Sequence, residues 1–247
     1  MAYQKLQVSS ALDVIPSNTV DIPNPTSALT IMQETKTAEG TSGTTLGGTA
    51  LLYDLTPGAN PFINVLVGDK VTNLTTLETA LVIGAASPPA YAAVFLNKSI
   101  FPNYTAVDPY KVCSPALLNI VSGDFSVAGT LTLPACSLAT TAGVLPGAIV
   151  YNTGGSVAYT ITSVVSDTEL AISPATPAGT TDAFQIYNEA TDAAVLYSGG
   201  AAQNIKLTMA SNTVDTFKGV PTGAYLPLQV KRVWGTSSAP TDIIALW

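Results

Sequence analysis

The chain of 247 residues contains no histidine. That removes the commonest general base, the commonest metal ligand and any Ser-His-Asp arrangement in one observation. Charge is also scarce, with 10% Asp, Glu, Lys and Arg against about 25% in an average soluble protein. The net charge is −7, and the only adjacent basic pair is Lys231-Arg232. Binding to a phosphate backbone needs clustered cations, so nucleic acid is not an expected partner. Long apolar runs are missing too: the longest, such as Ala90 to Leu96, fall well short of the roughly 18 residues of a membrane-spanning helix. The N-terminus, MAYQKLQVSSALDV, lacks the apolar core of a secretory signal. Neither a membrane nor an export signal is expected. Cysteine is nearly absent. Cys113 and Cys136, with no CxxC spacing, read first as free thiols of a reducing compartment, with a bridge between them as the alternative.

What is abundant is apolar, small and hydroxylated: 47% apolar residues, with many Thr, Ser, Ala and Gly. A surface of that kind suits a protein held inside a larger assembly or an extracellular β-protein. No segment keeps helical spacing, and many alternate with period two, so the chain reads as all-β. In Leu226 to Trp234, Leu228 and Val230 share a side with Leu226, opposite Gln229 and Lys231. After the GTSSAP loop, Asp242 to Trp247 reads as a further strand. At the other end, Tyr3 to Val8 is a candidate strand. It is followed by an extended run, Val14 to Pro25, with prolines at 16, 23 and 25. Proline removes a ladder donor, so this run suits a sheet edge or an arm along a neighbour. Ser27 to Glu34 reads as a strand or one helical turn, and Thr35 to Gly48 as a linker.

The middle of the chain carries an internal repeat. Gly48-Thr-Ala-Leu-Leu52 matches Gly129-Thr-Leu-Thr-Leu133. Leu66 to Asn73 matches Leu145 to Asn152, and Asp108 to Cys113 matches Asp182 to Tyr187. The offsets are 81, 79 and 74 residues (129 − 48, 147 − 68 and 182 − 108), with order preserved. In the second copy, short strands at 148–151, 157–165, 169–172 and 183–187 alternate with tight turns, the pattern of a small barrel or sandwich. The expected organisation is an anchoring β-sandwich or barrel from residues 1–45 plus 190–247, with two tandem β-modules, 46–120 and 121–189, inserted.

Asp54, Asp69, Asp108, Asp124, Asp167 and Asp182 lie far apart, without the spacing of a calcium loop. They read as turn residues that cap backbone donors. A glycosidase would need two carboxylates brought together by the fold, and the sequence pairs none. Gly40 to Gly48 lacks the ending of a phosphate loop. No catalytic, cofactor or metal residue is therefore assigned, and the expected protein is not an enzyme. The candidates for assembly contacts are Trp234 and Trp247 as interface anchors, Lys231 and Arg232 as hydrogen-bonding partners, and Ile22 and Pro23 of the arm.

Two stretches, MAYQKLQVSSALDVIPSNTVDIPNP and GVPTGAYLPLQVKRVWGTSSAPTDIIALW, resemble the two ends of short tailed-phage virion proteins, in particular the head-spike-base family also found in gene transfer agents. The resemblance rests on DVIPSNTVDIPNP, LPLQVKRVW and TDIIALW. It implies a β-domain built from both ends, a homo-oligomer (trimer or pentamer), and a neighbour such as the major capsid protein or another virion protein. The implied location is the virion and the implied role decoration or cementing of the capsid, or a spike base. A tail-fibre or host-receptor-binding adhesin is the alternative.

Overall fold

The computed structural model describes residues 8–42, 50–54, 61–85, 93–101, 108–179, 181–235 and 239–247. The candidate strand at Tyr3 to Val8 and the last part of the expected linker lie outside these residues, apart from Val8. The described residues form an all-β protein with three antiparallel sheets and one short 3₁₀ turn, Pro25–Ser27. They divide into two compact units: one of Met1–Ile31, Ile120–Leu133 and Ala139–Trp247, the other of Met32–Asn119 and Pro134–Leu138.

The second unit holds module 1. Its strands are β3 (Met32–Thr41), β4 (Leu51–Tyr53), β5 (Lys70–Asn73), β6 (Thr79–Ala85), β7 (Ala93–Leu96) and β8 (Pro109–Asn119). They lie in the order β3-β8-β5-β6-β7-β4. A bridge from Ser42 to Asp54 joins the two ends of that path into a small barrel. Its interior is filled by Leu52, Phe62, Val71, Val82, Val94, Leu96, Tyr110 and Val112. Residues 35–41, read from the sequence as linker, are instead the body of β3, as are 32–34, all within the stretch assigned to the anchoring domain. The reason is that β3 buries only Ala38 among Thr, Lys, Glu and Gly. Its order comes from its long ladder with β8, and it carries no apolar alternation to read.

Module 2 belongs to the first unit. Its strands are β2 (Ala28–Leu29), β9 (Ser122–Gly123), β10 (Thr130–Thr132), β11 (Ile149–Asn152), β12 (Val157–Ser166), β13 (Glu169–Ser173) and β14 (Asp182–Tyr187). The sheet order is β10-β13-β12-β11-β14-β2, the same path as module 1 read from the other end. The agreement extends to single bonds. In module 1 the Gly68 amide donates to Val82 O and the Val82 amide to Asp69 O, both at 2.8 Å. In module 2 the Gly147 amide donates to Ile161 O at 2.7 Å and the Ile161 amide to Ala148 O at 2.8 Å. A register shift follows Val82 in one copy and Ile161 in the other.

The connectivity is finer than a serial arrangement. The strand that flanks β14 is made of two pieces: Ala28 and Leu29 pair with Tyr187 and Ile186, while Ser122 and Gly123 pair with Ala183 and Asp182. The whole of Met32–Asn119 enters between those pieces. Insertion inside a strand is tolerated when the two ends are neighbours. Here the Ile120 amide donates to Ile31 O at 2.9 Å, so the strand can leave and re-enter at one place.

Each module is pinned by an Asn–Asp latch at the same position. Asn73 Nδ2 donates to Asp108 Oδ2 at 3.2 Å, and its Oδ1 accepts from the Thr75 amide at 2.8 Å. Asn152 Nδ2 donates to Asp182 Oδ2 at 2.8 Å, and its Oδ1 accepts from the Gly155 amide at 2.6 Å. Both Asn side chains are fully buried, where a lost partner costs about 1–3 kcal/mol. Asn152→Ala is expected to destabilise the protein by about 2 kcal/mol, and Asn152→Asp by at least as much, because it sets a second carboxylate against Asp182. Urea denaturation midpoints check this; an unchanged midpoint for both variants would remove the latch from the account.

The third sheet closes the first unit: β1 (Ala11–Asp13), β15 (Ala194–Ser198), β16 (Gln203–Met209), β17 (Val214–Val220), β18 (Ala224–Val233) and β19 (Ile243–Leu246), in the order β1-β19-β15-β18-β16-β17. Leu226, Leu228 and Val230 of β18 turn to one face and pack with Leu196, Ile205, Leu207, Ile243 and Ala245, as the alternation predicts. The two strands of the closing stretch are not neighbours, because β15 lies between β18 and β19.

Disulfide pairing departs from the first reading of the sequence. Cys113 on β8 is bonded to Cys136, with Cα atoms 6.1 Å apart, so neither is a free thiol. The Pro134–Leu138 segment runs beside the start of β3: the Glu34 amide donates to Cys136 O, and the Leu138 amide to Met32 O, each at 3.0 Å. That detour brings Cys136 to Cys113, and no spacing rule announces it.

Candidate assembly surfaces

The proline-rich run becomes an extended arm laid along the C-terminal sheet of its own chain. The Val14 amide donates to Ile243 O at 2.8 Å, Ser17 to Val233 O at 2.9 Å and Ile22 to Lys231 O at 2.7 Å. Pro16 and Pro23 occupy positions beside these donors, so the missing N–H groups cost nothing. At the other side of the arm, Gly235 allows close approach: a Cβ there would lie 2.9 Å from Pro16 O. A second apolar cluster joins Leu12 of β1 and Ile15 and Val20 of the arm to Ile149, Tyr151, Ala158 and Tyr187 of module 2.

The six assembly candidates are all placed by this arrangement. Ile22 is 1% exposed in the core of the C-terminal sheet, and Pro23 is buried and bridges Ala190. Arg232 Nε meets Asp21 Oδ1 at 2.7 Å and Nη1 donates to Asn18 O at 3.2 Å, fastening the arm to β18. Lys231 contributes its carbonyl to Ile22, while its side chain is partly exposed. Trp234 donates from Nε1 to Thr208 Oγ1 at 2.9 Å, and Lys206 Nζ lies 3.9 Å from its ring centroid, a cation–π contact. Trp247 donates from Nε1 to Thr191 Oγ1 at 2.8 Å, and its carbonyl accepts from the Ser9 amide at 2.6 Å. The structure therefore brings Ile22, Pro23, Lys231, Arg232 and Trp234 together around β18, with Trp247 packed on the same core. Most of their bonding capacity is spent within the chain.

The separated carboxylates serve turns and interstrand bonds. Asp69 accepts from the Leu66 amide at 3.0 Å and Asp124 from the Ser126 amide at 2.8 Å; hydrogen bonding from the Ser126 side chain, and then from its amide, holds the Asp124 carboxyl below the usual range. Asp167 accepts from the Thr140 amide at 3.1 Å, and Asp182 from the Gly179 amide at 2.9 Å. Asp54 serves the second kind of bond. It is buried in module 1 and accepts from the Tyr110 hydroxyl at 2.6 Å. Burial, with the Asp54 bond and charge adding to it, pushes the Tyr110 phenol far above its ordinary range. A phenol so held is a poor proton donor or base at neutral pH, and the pair locks β4 to β8. Gly40 admits it, since a Cβ there would lie 2.3 Å from Asp54 Oδ2.

Among the described residues no group of three or more His, Cys, Asp or Glu is placed to hold a metal ion. A groove of about 460 Å³ runs beside the arm, lined by Asp13, Pro16, Thr153, Ser156, Pro240 and Asp242 among others. Its two carboxylates are exposed, and no buried polar group points a specific chemistry at it. The sequence reading missed the Asn–Asp latches and the Asp54–Tyr110 pair. The latches had a signal: Asn73, Asn152, Asp108 and Asp182 all fall within the repeated landmarks. No protein-family model matches this chain, and neither a curated protein nor a solved structure does.

Proposed function

We propose that the protein is a non-enzymatic structural component of a tailed-phage virion. It acts as a homo-oligomer that decorates or cements the capsid or forms a spike base, against the major capsid protein or another virion protein. One observation carries the reading. The three stretches behind the resemblance, DVIPSNTVDIPNP, LPLQVKRVW and TDIIALW, are bonded to one another: Ile22 to Lys231, Asp21 to Arg232 and Val14 to Ile243. They act as one substructure, which suits an anchor that carries inserted modules. The commitment of the separated carboxylates to turns, latches and the Tyr110 bond also favours a structural role over acid–base chemistry. Density-gradient fractionation of a lysate from cells producing the particle tests it. The chain is expected to band with DNA-filled particles; recovery solely in the soluble fraction contradicts the reading.

A further inference from the structure

The two modules serve as controls for each other. The shared bonds and registers make Leu51, Leu52 and Tyr53 of β4 equivalent to Thr130, Leu131 and Thr132 of β10. Likewise Leu81, Val82 and Ile83 of β6 match Thr160, Ile161 and Thr162 of β12, and Phe95 of β7 matches Ala171 of β13. The inward residues of these sets are apolar and buried in both copies: Leu52, Val82 and Val94 in one, Leu131, Ile161 and Leu170 in the other. The outward residues are not alike. Module 2 has Thr130, Thr132, Thr160, Thr162 and Ala171, whereas module 1 has Leu51, Tyr53, Leu81, Ile83 and Phe95.

The barrel therefore does not need apolar side chains on that face, because its sibling folds with threonine and alanine there. In module 1, Leu81, Ile83 and Phe95 are 46%, 58% and 49% exposed. Phe95 is paired across from Gly84 and its ring lies over β6, within ordinary contact distance (3.5 Å) of where a Cβ would stand. The turn holding Leu66 and Val67, 67% and 71% exposed, abuts the same edge through the Gly68–Val82 bond. The face and this turn leave roughly 600 Å² of apolar residue surface in water, the upper end of the largest patch on an ordinary monomer. That is close to the apolar part of the roughly 800 Å² that each partner gives to a standard interface.

We infer that this outer face of β4, β6 and β7 is a self-association surface that takes the same face of a second copy of this chain. None of its five outward residues carries a charge, so it asks for no oppositely charged partner and can meet itself without repulsion. The inference deepens the assembly reading and rests on it in naming a copy as the occupant. The two can fail separately, since solution mass and particle membership are different measurements.

The test replaces the outward residues by those of the sibling module, Leu81→Thr, Ile83→Thr and Phe95→Ala, and measures mass by sedimentation equilibrium over a hundredfold concentration range. The wild-type chain is expected to exceed 25.3 kDa in a concentration-dependent way. The triple variant is expected to stay at the monomer mass, with unchanged far-UV circular dichroism and a melting temperature no lower than wild type by more than a few degrees. Should the triple variant fold poorly, Ile83→Thr alone is expected to weaken association at least tenfold. A wild-type chain that is monomeric at about 100 μM, or variants that associate as tightly as wild type, would overturn the inference. So would association that persists while another particle protein is captured by this face.

Discussion

Removing the Cys113–Cys136 bridge is expected to cost about 3 kcal/mol, the loop-closure value for a sequence separation of 23. For a chain of this size that corresponds to a fall of roughly 10 °C in melting temperature. Both half-cystines are buried, and Cys136 has φ +70°, a conformation that most L-residues adopt at a cost of about 1–2 kcal/mol. Cys136→Gly should therefore be milder than Cys136→Ala, since glycine carries no such penalty. Calorimetry with and without a reductant reads the effect, and thiol titration of the denatured, unreduced protein is expected to find no free thiol. Two titratable thiols, with melting insensitive to reductant, would contradict the bridge.

Alkaline pH is expected to unfold the protein earlier than its low charge would suggest. Burial raises the phenols of Tyr110, Tyr151, Tyr159 and Tyr187 above the ordinary 10. In Tyr151 a backbone hydrogen bond from Ile15 partly opposes the rise, and neighbouring Tyr187 adds to it. A raised folded-state pKa means that the fold holds the proton which the unfolded chain releases. Stability is therefore complete below pH 10 and falls as pH climbs through and beyond it. Each phenol held in this way contributes a slope of about 1.4 kcal/mol per pH unit, so Tyr110 and Tyr151 alone give about 3. Urea midpoints at pH 9, 10 and 11, followed with tyrosinate absorbance, should show ionisation and unfolding as one step. Tyr110→Phe should flatten the slope by one phenol's share, while lowering stability at neutral pH through loss of its bond to the buried Asp54. Free ionisation of all ten tyrosines near pH 10 in the folded protein would contradict the burial.

What could be read without the structure follows the physics of alternation. Strands with one buried face were legible: β12 with Tyr159 and Ile161 inward, β16 with Ile205 and Leu207, and β18 with Val230. The residues matched between the two stretches are the glycine turns, the latch asparagines and aspartates, and the inward apolar positions of two sheets with the same strand path. What stayed hidden depends on long-range pairing. β3 is a polar strand ordered by β8. The strand beside β14 is shared between residues 28–29 and 122–123, and no local pattern marks a strand cut in two. The bridge requires the 134–138 segment to leave module 2. Residue type alone points to the assembly candidates, and type does not distinguish a side chain that fastens its own arm, as Arg232 does through Asp21, from one that waits for a partner. The surface around Ile83 and Phe95 is marked by the registers that align one module with the other, and no local pattern marks it.

The central claim, that this chain is a structural part of a phage particle, is tested most directly by its copy number in purified particles. Quantitative mass spectrometry of gradient-purified, salt-washed virions is expected to find a fixed number of copies relative to the major capsid protein, reproducible between preparations and unaffected by the wash. Absence of the chain, or a trace amount that varies between preparations and washes away, would contradict the claim.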